Sequence, residues 1–232
     1  MNDVPRIMGM DVSFLKFVFL LWIVWFIGAL RRGKSREEIA KSVKSFLIVI
    51  GAIAVAAGAA FTADYFISYR VDADWGNLEE IILDSYNRGY SAALSPTVKI
   101  HDAVEVGGTS YVLTEVGENL GRAVLVRGVT GRYKLEKLSY GGANFVKGIV
   151  QYGNELHLLY GGKNTGEKIA KVVIEIEGQH YELEVPEKSR FLVSTQIDGR
   201  TEYPAFSDEQ ITFLDADGND ITAQYRLYHS SF

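Results

Sequence analysis

The chain contains no cysteine among its 232 residues. This absence excludes disulfide bonds, thiolate catalysis, iron–sulfur clusters and cysteine-ligated zinc. A domain without these cross-links must be held together by its hydrophobic core alone. The length allows one or two small domains in addition to membrane segments.

The sequence also lacks the common motifs of nucleotide and hydrolase sites. It has no P-loop, no Gly-x-Gly-x-x-Gly fingerprint and no Gly-x-Ser-x-Gly nucleophile elbow. The four histidines are scattered and do not have the spacing of a metal pair on a helix; they are His101, His157, His180 and His229. From motifs we therefore predict no catalytic, cofactor-binding or metal-binding residue, and no cofactor.

Basic residues are concentrated in one short stretch. The formal net charge is −5, yet the segment RRGKSREEIAKSVK, at positions 31–44, carries six basic and two acidic residues. The rest of the chain is correspondingly acidic and would repel phosphate backbones. We therefore do not expect a nucleic-acid partner.

Two long apolar runs flank this basic stretch, at residues 12–30 and 46–63. Each can form a helix long enough to cross a hydrocarbon core of about 30 Å. Lys16 is the only charged residue in either run, and it lies near one end, where its side chain can reach the headgroups. We predict a transmembrane hairpin with helices at 12–30 and 46–66.

Two alternatives to this hairpin are weaker. Buried core helices in a soluble protein rarely have continuous apolar runs of about 18 residues or more. A cleaved signal peptide has its basic residues before the apolar segment, whereas the arginines follow the first run. The second run has a basic lead but is longer than the apolar region of a signal peptide, so we expect it to remain uncut.

The basic segment predicts the orientation of the chain. Short loops rich in lysine and arginine remain in the cytoplasm. Residues 31–45 are therefore expected to form a cytoplasmic loop, with a short outer N-terminus at 1–11 and both termini outside. Residues 67–232 would be extracytoplasmic. Binding of the basic loop to anionic lipid is compatible with this topology.

Small residues recur along the second apolar run. Ala52, Ala56 and Ala60 are spaced by four residues, which lets helix backbones approach closely. We expect this face to pack on the first helix. The alternative is that it docks onto another membrane protein.

The region after the membrane segments is predicted to be mainly antiparallel β structure. Residues 67–95 form a linker with an amphipathic helix, which Asn77 and Glu80 would begin as a capping box. Alternating apolar residues and regular turn signals then predict about ten strands. We divide them into a first β subdomain at 96–164 and a second, sandwich-like subdomain at 165–232.

Two polar sequences in this region have alternative interpretations. The segment DADGND, at positions 215–220, resembles a calcium loop, but its glycine spacing fails the EF-hand pattern, which favours a simple turn. The segment KVVIEIEGQHYELEV predicts a hairpin with a turn at Gly178–Gln179. That register would place Glu175 opposite Glu182, and we expect solvent exposure and a nearby Lys171 or Arg190 to offset the repulsion. The alternatives are a bound cation or a basic partner.

The outer region resembles a group of proteins of Bacillus-type bacteria. The segments YVLTEVGENLGRAVLVRGVTGRYKLEKLSYGGANF and ITFLDADGNDIT are similar to uncharacterised membrane-anchored or secreted proteins with an LGxAxLxxGxxGxY core. The resemblance implies an extracytoplasmic β domain in a Gram-positive cell envelope. It implies no activity and no catalytic residue.

These observations favour a non-enzymatic protein. We expect a two-pass membrane protein that displays a β domain for binding or partner assembly at the cell envelope. One alternative is an accessory or sensor subunit docked through its transmembrane hairpin. A second is an envelope hydrolase that uses carboxylates such as Glu115 or Asp102. The expected partners are the lipid bilayer and another membrane or envelope protein.

Overall fold

The structure is a computed structural model of the whole chain. It describes residues 6–7, 10–11, 23, 28, 35–88, 95–142, 144–198 and 206–226. The chain divides into two units, Met1–Ser68 and Tyr69–Phe232, and each is described by itself. The first predicted transmembrane helix, at 12–30, lies outside the described residues except for Ile23 and Gly28.

The described residues of the first unit include a long helix, α1, at Arg36–Ser68, and a pair of two-residue strands, β1 at Arg6–Ile7 and β2 at Met10–Asp11. The stretch Val43–Ser68 is strongly apolar, and none of the residues in its most apolar part is buried. Within the described part of the chain, one helix is therefore long and apolar enough to cross a membrane, as the second apolar run predicts.

Helix α1 begins ten residues before the predicted second span. Ser35 caps it, because the Ser35 Oγ accepts a hydrogen bond from the Glu38 N–H at 3.3 Å, and the Ser35 N–H donates to the Glu38 carboxylate at 3.1 Å. This capping box starts the helix inside the basic segment. Lys41 and Lys44 are therefore helical residues and not part of a loop.

The described residues of the second unit form ten antiparallel strands, in agreement with the predicted number of about ten. Its helices are α2 at Leu78–Asn87 and α3 at Thr222–Arg226. The strands are β3 at Val98–Val106, β4 at Thr109–Val116, β5 at Asn119–Arg127, β6 at Tyr133–Gly142, β7 at Phe145–Tyr152, β8 at Glu155–Lys163, β9 at Lys171–Ile176, β10 at Gln179–Glu184, β11 at Arg190–Ile197 and β12 at Ile211–Leu214.

The strands form three sheets, and each sheet buries an apolar face. Sheet one has the order β3-β4-β5-β6, sheet two has β11-β8-β7, and sheet three has β10-β9-β12. Helix α2 covers the outer face of sheet one through Leu78, Ile81 and Ile82. Alternation along β8 places Leu159 against the inner face of sheet one, while Leu158 packs toward sheet three.

The predicted boundary between two β subdomains falls inside sheet two. Strand β8 ends at Lys163, immediately before that boundary, and it pairs along its whole length with β11 from the second half of the chain. Strands from both predicted subdomains therefore share one sheet and one core. Residues after Ser68 belong to a single unit.

The predicted capping box of α2 does not form. The Asn77 side chain makes no cap bond to the helix. Its Oδ1 instead accepts a hydrogen bond from the Asp72 N–H at 2.9 Å, and its Nδ2 donates to the Arg70 carbonyl at 3.0 Å. Asn77 therefore fixes the backbone conformation between Arg70 and Asp72, at the start of the second unit. The predicted helix and its apolar face are confirmed.

The β9–β10 hairpin forms with a turn one residue earlier than predicted, which shifts the strand pairing by two residues. Its turn lies at Glu177–Gly178, where both residues have positive φ, 53° and 76°, as a type I′ turn requires. Glu175 consequently pairs with His180, so the predicted pairing of Glu175 with Glu182 is wrong. Lys171 Nζ lies 2.6 Å from the Glu182 carboxylate, in agreement with the expectation of a nearby lysine.

Candidate functional site

A carboxylate surrounded by basic groups lies between sheets one and two. Glu115 on β4 has a side chain that is only 12% exposed. Its Oε2 lies 2.8 Å from His101 Nε2 and 3.7 Å from Arg190 Nε, and its Oε1 lies 3.8 Å from Lys163 Nζ. These four residues, which we call the Glu115 network, join strands β3, β4, β8 and β11.

A bulge in β3 positions the acidic and basic groups at this interface. The β3–β4 register shifts between Ile100 and Asp102, which leaves His101 as the extra residue. The Asp102 carboxylate accepts a hydrogen bond from the Leu192 N–H at 3.1 Å and lies 3.2 Å from Lys188 Nζ. Asp102 thus satisfies a backbone donor on β11 and ties that strand to sheet one.

The environment of Glu115 keeps its carboxylate ionised. Burial raises its pKa, but the hydrogen bond with His101 and the charges of Arg190 and Lys163 outweigh burial and hold the pKa below its ordinary value. A general acid in a glycoside hydrolase requires the opposite shift. Both carboxylates proposed for a hydrolase, Glu115 and Asp102, already contact basic side chains. Their geometry supports a role in joining the sheets.

A cleft of about 250 Å³ opens beside the Glu115 network. Each of its lining residues carries a polar group, and two of them are lysines. The lining residues are Asn144, Lys163, Thr165, Lys168, Gln224 and Tyr225. Because Lys163 also belongs to the Glu115 network, the network holds one wall of the cleft in place. We call this cavity the lysine cleft.

The loop that forms another wall of the lysine cleft is held by one buried side chain. Asn164 is fully buried, and its amide makes two hydrogen bonds with the backbone of Ile169, at 3.0 and 2.9 Å. The same loop contains Glu167 with a φ of 55°, a left-handed conformation that costs free energy for a residue other than glycine. Asn164 offsets that cost.

Substitution Asn164→Ala is expected to lower the free energy of unfolding by about 2 kcal/mol, because it leaves a buried N–H and a buried carbonyl without partners. Chemical denaturation of the full chain in detergent would measure the change. The neighbouring Thr165 is exposed, so Thr165→Ala is a matched control with an expected change within about 0.5 kcal/mol. Equal effects of the two substitutions would show that Asn164 does not hold the loop.

A second cleft, of about 200 Å³, lies where sheet one passes into sheet two. Its walls combine aromatic, small and basic residues: Leu120, Gly121, Arg122, Ser139, Tyr140, Phe145, Val146 and Lys147. We call this cavity the arginine cleft. Lys147 is paired with Asp208 and lies over the Phe206 ring. Arg122 has no such carboxylate partner among the described residues.

Arg122 is a largely buried cation. Its Nε and Nη1 are buried, and neither donates a hydrogen bond to any acceptor in the described part of the chain. The guanidinium lies 5.7 Å from the Tyr111 ring centre, and a methyl group on Gly148 would come within 2.8 Å of Nη1. Burial lowers the pKa of Arg122 from its ordinary value, although the nearby Tyr111 opposes this effect.

The segment DADGND forms a turn, as its composition predicts. The Asp215 carboxylate accepts hydrogen bonds from the N–H groups of Asp217 and Asn219, at 3.0 and 2.8 Å, and from the Asn219 amide at 3.1 Å. The bonds from Asn219 are the main cause of a lowered pKa for Asp215. These oxygens stabilise the turn itself.

Sequence reasoning named Glu115 and Asp102 but missed the residues that line the clefts. A signal for Arg122 was present: in the alternating strand LGRAVLV it occupies the same face as Leu120 and Val124, which both pack in the core. An arginine at an inward position is unusual. For Lys163 and Lys168 no comparable pattern exists.

Comparison with known proteins adds no family to these observations. No protein-family model, no curated protein and no solved structure matches the chain. The resemblance to Bacillus-type envelope proteins therefore remains a prediction from the quoted residues, and the functional argument depends on the geometry of the two clefts and of α1.

Proposed function

We propose that the chain is a two-pass membrane protein that displays residues 67–232 outside the cell as a non-catalytic binding domain. The observation that carries this proposal is the apolar stretch Val43–Ser68, whose most apolar part contains no buried residue and which directly precedes the β unit. A surface of this size made of apolar residues is stable only against lipid or another protein.

The distribution of charge along α1 supports the proposed orientation. The helix starts within the basic segment at Arg36, Lys41 and Lys44 and has no basic residue in its last turn. Basic residues remain on the cytoplasmic side, so the end at Ser68 would face outward. The β unit begins at the next residue and would therefore lie outside the cell.

The clefts of the β unit suggest what kind of ligand it binds. Lys163 and Lys168 line one cleft and Arg122 lines the other, although the domain is acidic overall. Unpaired or half-paired cations in a concave site attract carboxylate and phosphate groups. An anionic group, on an envelope polymer or on an acidic side chain of a partner protein, is the ligand that these clefts fit best.

The proposed topology is tested by single cysteines, for which a cysteine-free chain gives no background. In intact cells, a membrane-impermeant maleimide is expected to label Ser230→Cys. It should label Ser35→Cys only after the membrane is permeabilised. Labelling of Ser35→Cys from outside intact cells would overturn the orientation.

An accessory subunit is a second candidate. Ala52, Ala56 and Ala60 are exposed on α1, and small residues at this spacing favour close helix packing within membranes. Purification in mild detergent separates the two proposals. A stoichiometric second membrane protein would favour the accessory subunit, and its absence would favour packing within the chain.

A further inference from the structure

The loop between β5 and β6 presents an apolar residue to solvent. Val129 is 94% exposed, the highest value among the large exposed hydrophobic residues of the described chain. The loop has a defined shape, because the Gly131 N–H donates to the Gly128 carbonyl at 3.1 Å and the Gly128 N–H donates to the Arg132 carbonyl at 2.7 Å. We call residues 127–132 the β5–β6 loop.

This loop is held against the residues that follow α1. Arg132 donates hydrogen bonds from Nε to the Tyr69 carbonyl and from Nη2 to the Arg70 carbonyl, both at 2.8 Å. Val71 and Tyr133 exchange two backbone hydrogen bonds, at 3.0 and 2.9 Å. Since these contacts lie within the second unit, they place the loop close to Tyr69.

Tyr69 directly follows the apolar helix. The 26 residues of Val43–Ser68 form a helix about 39 Å long at about 1.5 Å per residue. A bilayer has a hydrocarbon core of about 30 Å and a total thickness of about 40–45 Å with its headgroups. Tyr69 therefore falls at headgroup depth when this helix spans. Tyr65, near the helix end, is of the kind enriched at that depth.

We propose that the β5–β6 loop docks on the surface of the bilayer that α1 crosses, with Val129 entering the headgroup layer. Arg127, at the start of the loop, is exposed and has no carboxylate within ion-pair distance among the described residues. It contacts lipid phosphate, for which arginine has the matching geometry. The inference rests on the proposed membrane span and adds a second point of attachment.

The loop is tested in the full chain reconstituted in liposomes that contain phosphatidylglycerol. A polarity-sensitive fluorophore on Val129→Cys is expected to shift to the blue and to be quenched by headgroup spin-labelled lipid. The same fluorophore on Asp217→Cys is the control. Asp217 is also exposed, but it lies in the turn that follows β12 of sheet three and not in the β5–β6 loop. Equal quenching at the two sites, or none at either, would overturn loop docking.

Flotation of the same liposomes separates the two proposals. If the protein floats with the lipid after washing in high salt and Val129→Cys is not quenched, α1 is inserted and loop docking is wrong. If the protein does not float, the membrane span itself is wrong.

Reduced quenching of Val129→Cys when Arg127→Gln is added, or when phosphatidylglycerol is omitted, would support the contact of Arg127 with lipid phosphate. Quenching that neither change affects would overturn that contact.

Discussion

Substitution Glu115→Gln will lower the free energy of unfolding of the full chain in detergent by about 3 kcal/mol. Glutamine keeps the shape of the side chain but removes the charge that offsets Lys163 and Arg190. Breaking a largely buried ion pair by removing one partner costs about 3–5 kcal/mol. We take the lower end because the two basic side chains are partly exposed.

The pH dependence of stability provides a second measurement for Glu115. Its pKa is lower in the folded state than in the unfolded chain, where a glutamate has a pKa of about 4.3. Its stabilising contribution is therefore complete above that unfolded value and is lost as the pH falls through the lower folded value. Glu115→Gln should flatten the decline in stability in this acidic range.

Glu118→Gln is the matched control for the substitution of Glu115. Glu118 lies in the exposed turn three residues farther along the chain. Lys163 donates a hydrogen bond to the backbone carbonyl of Glu118, which the substitution leaves in place. Its replacement should change the free energy of unfolding by about 0.5 kcal/mol or less. If both variants have the same stability and the same acid sensitivity as the original chain, the Glu115 network does not join the sheets.

The Glu115 network illustrates which parts of this protein the sequence could predict. Strands and the apolar helix follow from local periodicity, because alternation and continuous apolarity are properties of neighbouring residues. The partners of Glu115 come from strands that are far apart in the sequence. Nothing local relates His101 to Lys163 or Arg190, so the carboxylate could be named but its role could not.

The same reason explains why the sequence does not reveal that one sheet extends across residue 164. Strands β8 and β11 pair across the β9–β10 hairpin, and such long-range pairing leaves no mark on the turn between β8 and β9. The error in the β9–β10 register had a local cause. Glu177 adopts a positive φ, which glutamate rarely does, so a turn centred on Gly178–Gln179 was the natural expectation.

Substitution Arg122→Met will raise the free energy of unfolding by about 3 kcal/mol, since it removes a desolvated charge with two unpaired donors. The lost contact with the Tyr111 ring is worth only about 0.5–1 kcal/mol. The free energy gained by removing the desolvated charge therefore exceeds the free energy lost with this contact. Denaturation in phosphate-free buffer measures the change. Lys137→Met, at an exposed position of β6, should have an effect within about 0.5 kcal/mol.

A residue that destabilises its own domain is typical of a functional site. If Arg122 is retained for an anion, inorganic phosphate or acetate will raise the thermal midpoint of the original chain and of Lys137→Met, because a ligand that binds only the folded state stabilises it. The same anions will raise the thermal midpoint of Arg122→Met less than that of the original chain, because only the lysine cleft then remains to bind them. If neither anion stabilises the original chain, or if Arg122→Met gains as much stability as the original, the arginine cleft is not part of the proposed function. The lysine cleft and the membrane topology would stand on their own tests.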